Sequence, residues 1–397
     1  MFFIFLIGAA IAQKWAVLIA GSNTFNNYRH QADIATIANM LVKRGYNPQN
    51  IINMQYNDLV NDPENIFKGA LYHNLDHENM YNESLITHQG NEITAENIYN
   101  ILKGKAQISL KSTDEDDVLI YYDDHGDVSL LGIPDGNGQP IFALDLQKAI
   151  QEMYDKKMFK NLLFVIEACE SGSIIPFIKK VPNTVIITAS GPSEPSSSAI
   201  YDEQLDNFLS NEFTANFLDA IDENPSGTII DIFQIVLKRI SKSTPHIGGT
   251  ESLYNLPISQ FFGINSQNNF RNAIKKRTPA NGIMIPQRQT RKFILEKLAK
   301  SHKSEAVRQK SSIELLKIAE EREKLLKTMM CIQSNLLTQN CHWDHVNKDE
   351  NFREIIKYFF TKYGNVSQDD YDLLSPFHQL CYQYSMIQIK HSIDSTI

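Results

Sequence analysis

The sequence predicts an α/β fold, a mostly parallel sheet with helices on both faces, plus a small all-α C-terminal module. Three observations predict it. The apolar runs Trp15-Ala16-Val17-Leu18-Ile19-Ala20, Val118-Leu119-Ile120 and Leu162-Leu163-Phe164-Val165-Ile166 are continuous rather than alternating, as strands buried on both faces are. Segments of helical period separate them, the order of a parallel sheet with crossover helices. Beyond Phe262-Gly263 a polar stretch with Pro279, Gly282 and Pro286 gives way to helical spacing up to the end.

In order, the first run is a strand closed by Gly21-Ser22-Asn23. Ala32, Ala35, Ile37, Ala38, Leu41 and Val42 then give a helical period that ends near Gly45. Ile51-Ile52-Asn53-Met54 is a short strand. Residues 58–91 are polar and long for a connection, which points to a functional loop. A helix at 94–102, a strand at 117–122, a helix near 144–153, and strands at 162–168 and 184–189 follow. Ser190-Gly191-Pro192-Ser193-Glu194-Pro195 opens a loop that runs to Ser198. Residues 265–289 read as a linker. Val307, Ile313, Leu316, Ala319, Leu325 and Met329 space a helix over 304–330, and further helices are expected at 352–363 and 369–386.

With 397 residues, 42% of them hydrophobic, the chain can build one large and one smaller core. A net charge of -8 argues against nucleic acid as a partner of the whole chain. Charge is uneven: residues 271–327 hold 16 Lys/Arg against 6 Asp/Glu. That stretch either faces the acidic remainder or an acidic partner, or forms a solvated helix surface. Residues 1–12 are apolar and end in Ala10-Ile11-Ala12, which reads as a signal peptide cut after Ala12. No other run reaches the ~18–20 apolar residues of a membrane span, so no span is expected in the mature form. The triplets Asn82-Glu83-Ser84 and Asn365-Val366-Ser367 fit an exported protein.

Four cysteines do not make a disulfide scaffold. Three of them (Cys331, Cys341, Cys381) lie in the C-terminal module, leaving Cys169 alone in the α/β part. Cys169 follows one predicted strand, in Glu167-Ala168-Cys169-Glu170-Ser171-Gly172-Ser173. His125 follows another, in Tyr121-Tyr122-Asp123-Asp124-His125-Gly126. Parallel neighbouring strands would bring both side chains to one sheet edge, where open α/β sheets place ligands. A thiol attacks as thiolate and needs a base, the role open to His125. The N–H groups of Gly126 and Cys169 are then available to a tetrahedral oxyanion. Singly, each residue has a bland reading: a buried inert thiol, or a hydrogen-bonded strand-end imidazole. A third block, from Gly21 to Asp33, opens a helix at the same edge. It carries neither G-x-G-x-x-G nor G-K-[ST], so phosphate binding is not expected. No cofactor and no metal are expected.

The blocks Ala20–Asp33, Tyr121–Gly126 and Glu167–Ser173 resemble those of legumains, the asparaginyl endopeptidases of the caspase-like cysteine protease clan. The resemblance covers about 14–217. Asn-Tyr-Arg-His-Gln-Ala-Asp together with Glu-Ala-Cys-Glu-Ser-Gly-Ser carries it, whereas the caspase pattern Q-A-C-x-G does not match. It implies a caspase-like catalytic domain at 13–268 that cleaves after Asn, less readily after Asp, through a thioester. Cys169 is then the nucleophile, His125 the proton shuttle, Asn27 its support and Gly126 an oxyanion donor. Arg29, Glu167 and Ser196 line the pocket for the residue before the scissile bond. A carboxamide offers one acceptor oxygen and two N–H donors, which Arg29 and Glu167 can match. Such a site rejects apolar side chains. At the pocket floor the family has an aspartate where ungapped alignment gives Asn211; Glu212 is its neighbour if the register shifts by one.

The tail resembles the family's helical prodomain, at 304–397 after a linker at 269–303. The resemblance implies a Cys341–Cys381 disulfide and an intramolecular inhibitor. The uneven charge gives it a mechanism: the basic 271–327 stretch and the helical module lie over the acidic catalytic face, are released at acid pH as carboxylates protonate, and are lost for good on self-cleavage at Asn281 or Asn272. The resemblance also implies peptide substrates, cystatin-type inhibitors and a lysosomal, vacuolar or secreted destination. A ligase on the same scaffold and an inactive binding or inhibitory homologue are the alternative readings.

Overall fold

The computed structural model describes residues 12–264, 282–338 and 348–397. The expected signal peptide, the cleavage sites Asn272 and Asn281, and Cys341 lie outside the described residues. In chain order the elements of the α/β part are β1 (Lys14–Ala20), α1 (Tyr28–Lys43), β2 (Ile51–Met54), α2 (Ala95–Leu102), β3 (Asp117–Asp123), the short strands β4 (Gly126–Asp127), β5 (Leu130–Leu131) and β6 (Ile141–Phe142), α3 (Ala143–Asp155), β7 (Asn161–Glu167), α4 (Ile175–Ile178) and β8 (Thr184–Thr188). The hairpin β9 (Ser197–Asp202) and β10 (Asn207–Asn211), α5 (Glu212–Glu223), α6 (Ile229–Arg239), β11 (His246–Gly249) and α7 (Ser259–Phe262) complete it.

The main sheet runs β11-β8-β7-β3-β1-β2 and is parallel except for β11. Alternate residues of its buried strands feed two cores. Val17, Ile19, Val118, Ile120 and Phe164 pack under α2, α3 and α4. Ala16, Leu18, Leu119, Leu163 and Val165 pack under α1, α5, α6 and α7. The strands predicted from continuous apolar runs are thus buried on both faces, as expected. β3 and β7 are direct neighbours in parallel register, with Tyr122 opposite Ile166 and Asp123 opposite Glu167. The two blocks that follow them therefore leave the sheet side by side.

The stretch expected to be a linker is folded from residue 282 on. β12 (Ile285–Pro286) pairs antiparallel with Ser197 and Ser198 of β9, and α8 (Thr290–Ser301) follows it. Ile294 of α8 packs on Tyr201 and Phe208, apolar anchors that a polar composition hides. Then come α9 (Glu305–Leu337), α10 (Lys348–Tyr363), α11 (Ser375–Gln383) and α12 (Met386–Thr396). The helix expected over 369–386 is split, and Pro376 in the first turn of α11 marks its start. On α9 the helical period holds but its buried face differs from the expected one. Leu325, Met329, Ile332 and Leu336 are buried, while Ile313 and Leu316 are exposed. The module's core closes over Leu130 and Phe142 of the α/β part. Cys381 is buried; Cys341, the partner the resemblance implies for it, lies outside the described residues. No helix among the described residues is long and apolar enough to cross a membrane.

Candidate active site

The site lies at the C-terminal edge of β1, β3 and β7. Asp124 N donates to Glu167 O at 3.0 Å, which stitches the two blocks together just past the strands. A Cβ on Gly126 would stand 2.8 Å from Cys169 O, so only glycine lets the backbones after β3 and β7 approach this closely. Glu170 adopts a left-handed conformation (φ 49) and turns the chain directly after the cysteine.

Cys169 is fully buried, with Sγ 4.0 Å from Ser196 O. Burial pushes its thiol up to about 12; Arg288 opposes this and Glu170 adds to it. His125 is held well below its ordinary value by burial, then by Arg29 and Arg288. Its Nε2 lies 2.9 Å from Asn27 Oδ1 and 3.5 Å from Arg29 Nη2. The asparagine oxygen is the closer partner and can only accept, so Nε2 carries the proton and the lone pair sits on Nδ1. Nδ1 is buried with no hydrogen-bond partner. In this closed arrangement Cys169 is a neutral thiol and His125 a neutral imidazole.

Arg29, Glu167 and Ser196 converge on one buried side chain, Gln287, just after β12. Gln287 Nε2 donates to Glu167 Oε1 at 2.8 Å and to Ser196 Oγ at 2.7 Å. Its Oε1 accepts from Arg29 Nη2 at 3.5 Å, and its backbone N donates to Ser196 O at 3.0 Å. The three residues thus hold a carboxamide with its oxygen toward Arg29 and its nitrogen toward Glu167 and Ser196. Asn211 stands behind Arg29, its Oδ1 accepting from Arg29 Nε at 3.0 Å. Its Nδ2 donates to Asp123 Oδ1 at 2.8 Å and to Asp33 Oδ2 at 3.2 Å. Glu212 accepts from Ser241 N at 2.8 Å instead. The carboxylates near the floor are thus Asp33, which burial raises to about 7, and Asp123, which burial and then Asp33 raise well above its ordinary value. Burial also raises Glu167, to about 8.

The C-terminal segments close the site from both sides. Arg288 pairs with Glu170 and reaches Asp127 Oδ1 at 3.6 Å. Gln368, ahead of α11, sends Nε2 to Asp124 Oδ2 at 2.8 Å and to Gly21 O at 3.0 Å. Asp369 Oδ1 lies 3.9 Å from His125 Nε2. Sequence reasoning missed Gln287, Gln368, His30 and the buried acids Asp33 and Asp123. His30 and Asp33 belong to the quoted Asn-Tyr-Arg-His-Gln-Ala-Asp block, which was the available signal. Nothing local marks either glutamine.

The chain is similar in sequence to several known proteins. The chain is 31% identical over 262 residues to legumain from Mus musculus, covering 64% of this chain and 60% of that protein. Legumain from Bos taurus is 30% identical over 265 residues, with the same shares. The vacuolar-processing enzyme delta-isozyme of Arabidopsis thaliana is 28% identical over 304 residues, covering 70% of this chain and 65% of that protein. The match thus spans about 60% of the length of these legumains. Among solved structures, caspase-1 from Spodoptera frugiperda aligns with a TM-score of 0.39 at 13% identity, over 60% of this chain and 86% of that one. The model of the Peptidase C13 family matches residues 14–283, and the chain belongs to that family.

Proposed function

We propose that this chain is the latent form of a cysteine endopeptidase that cleaves after asparagine, in a lysosomal, vacuolar or secreted compartment. The observation that carries the reading is Gln287, a carboxamide seated between Arg29, Glu167 and Ser196. Its approach is that of a bound peptide, because β12 adds an antiparallel strand to β9. Asparagine presents the same amide on a side chain one methylene shorter, which draws the peptide carbonyl deeper toward Cys169.

In the reaction, His125 Nδ1 takes the Cys169 thiol proton as Sγ attacks the carbonyl carbon. The oxyanion meets the N–H groups of Gly126 and Cys169. His125 then protonates the leaving amine, and water splits the thioester with His125 as base. Asn27 holds the imidazole tautomer throughout, as an orienting group does in catalytic triads.

Lasting opening follows cleavage within the segment that precedes Gly282, for which Asn281 and Asn272 are the proposed sites. Glu170, the partner of Arg288 at the seam, is raised to about 7 by burial, which Arg288 opposes. Release of the module as carboxylates protonate at acid pH, made permanent by that cleavage, is the proposed order. The test is a matched set of peptides with Asn, Asp or Gln before the scissile bond, offered to chain cut in that segment. Cleavage after Asn at least tenfold faster than after Gln is expected; equal rates, or cleavage after apolar residues, overturn the pocket assignment.

A further inference from the structure

Behind His125 lies a second constellation that the peptide chemistry does not use in full. One ligand atom from each of His30, Asp124 and His125 lies within 4.8 Å of the other two, and His30 Nε2 stands 3.8 Å from Asp124 Oδ1. All three residues are buried, and His30 Nε2, Asp124 Oδ1 and His125 Nδ1 each lack a hydrogen-bond partner. Three buried polar atoms without hydrogen-bond partners in one cluster are costly in a protein interior unless something fills the space beside them.

Every other polar atom of the trio is committed elsewhere. His30 Nδ1 donates to Asp123 Oδ1 at 2.6 Å, and His125 Nε2 donates to Asn27 Oδ1 at 2.9 Å. With the proton of each imidazole on that nitrogen, the other nitrogen keeps a bare lone pair. A second-shell oxygen on the far nitrogen is the arrangement that metal-binding histidines share. Asp124 Oδ2 accepts from Gln368 Nε2 at 2.8 Å and from Tyr122 OH at 3.3 Å, leaving Oδ1 to face the same point. Two neutral imidazoles and one carboxylate are a donor set suited to zinc with a fourth position open. Arg29, 3.5 Å from His125 Nε2, opposes a cation there. Asp123 behind His30 and Asp369, 3.9 Å from His125 Nε2, offset it.

We propose that His30, Asp124 and His125 form a binding site for one divalent transition cation of the zinc type. Bound there, the cation occupies the lone pair that His125 would use to accept the thiol proton, so it holds the site inactive reversibly. That consequence rests on the proposed role of His125, whereas the binding itself does not. Gln368 ties the site to the C-terminal module, since it orients the carboxylate ligand only while the module is closed. This proposal departs from the sequence expectation of no metal.

The test uses the full-length chain equilibrated with Zn2+, dialysed against metal-free buffer and counted by elemental analysis. One zinc per chain is expected, with an X-ray absorption spectrum of nitrogen and oxygen neighbours at about 2.0–2.2 Å. His30→Gln should weaken retention at least tenfold. No retained zinc means that the chamber holds water, and that overturns the proposal. So does a sulfur neighbour at about 2.3 Å, which assigns the cation to a cysteine, and so does retention unchanged in His30→Gln. The spectrum is read on the unmodified chain and stands whether or not His30→Gln folds. None of these readouts uses peptide cleavage, so failure of the zinc site and failure of the peptidase reading are told apart.

Discussion

Two neighbouring regions of this molecule are built from the same kinds of side chain and end in opposite states. In the pocket of Arg29, Glu167 and Ser196 the inserted carboxamide of Gln287 makes a hydrogen bond to each of the three. In the chamber of His30, Asp124 and His125 three inward atoms find no partner. The chain's own tail supplies a glutamine to each side, yet only Gln287 enters its cavity; Gln368 stops at the far oxygen of Asp124. The contrast teaches that closure is selective. It gives each residue that would hold a substrate side chain a hydrogen bond and leaves His30 Nε2, Asp124 Oδ1 and His125 Nδ1 without one.

The sharpest way to break the pocket half of the comparison is Glu167→Ala. It removes the acceptor for the amide nitrogen. Cleavage of an Asn peptide by opened chain should fall about a thousandfold in kcat/KM, the scale seen when a polar site loses its match. Loss of less than tenfold means that Glu167 does not read the amide. Gln287→Ala comes next. Removing two or three hydrogen bonds worth about 1 kcal/mol each should raise the activity of uncut chain roughly tenfold or more. An uncut chain as silent as wild type would shift the block to Arg288 and the helical module.

Smaller effects separate the floor from the walls. Asn211 is neutral where the resembling family has an aspartate, so in this chain cleavage after Asp relative to Asn should depend only weakly on pH between 4 and 7. Asn211→Asp should steepen that dependence several-fold, by adding a carboxylate beside Asp33 and Asp123. A steep dependence already present in wild type rejects the idea. Last comes stability. Asp33 and Glu170 are both raised by burial to about 7. Carboxyls raised in the folded state contribute stability fully below their ordinary values and lose it as pH rises through about 7. The melting temperature of intact chain should therefore fall by a few degrees from pH 6.5 to 8.5. Calorimetry that finds it flat or rising contradicts these assignments.

What was legible in the sequence follows from range. Val118-Leu119-Ile120 and Leu162–Ile166 announce buried strands by local composition, so the neighbouring ends that carry His125 and Cys169 were readable. Their register, Asp123 against Glu167, confirms the side-by-side exit. Arg29, Ser196 and Asn211 were found through resemblance alone, and the position of Asn211 behind Arg29 rather than against the substrate depends on three-dimensional packing. Gln287 follows a two-residue strand, too short for any periodicity, inside a stretch whose Pro and Gly content suggests a linker. His30 and Asp123 sit in a helix and a strand where alternation says buried but not which polar atoms meet. The exposed Ile313 and Leu316 show the converse: helical spacing gives the element and not the face that finds a partner.

The account stands most directly on Cys169. Wild type and Cys169→Ala, both cut in the segment before Gly282 as verified by mass spectrometry, would be assayed on one Asn-containing peptide. The account predicts cleavage after Asn by wild type and a loss of at least about a thousandfold in the variant, the scale seen on removal of a catalytic nucleophile. Full cleavage by Cys169→Ala would contradict it.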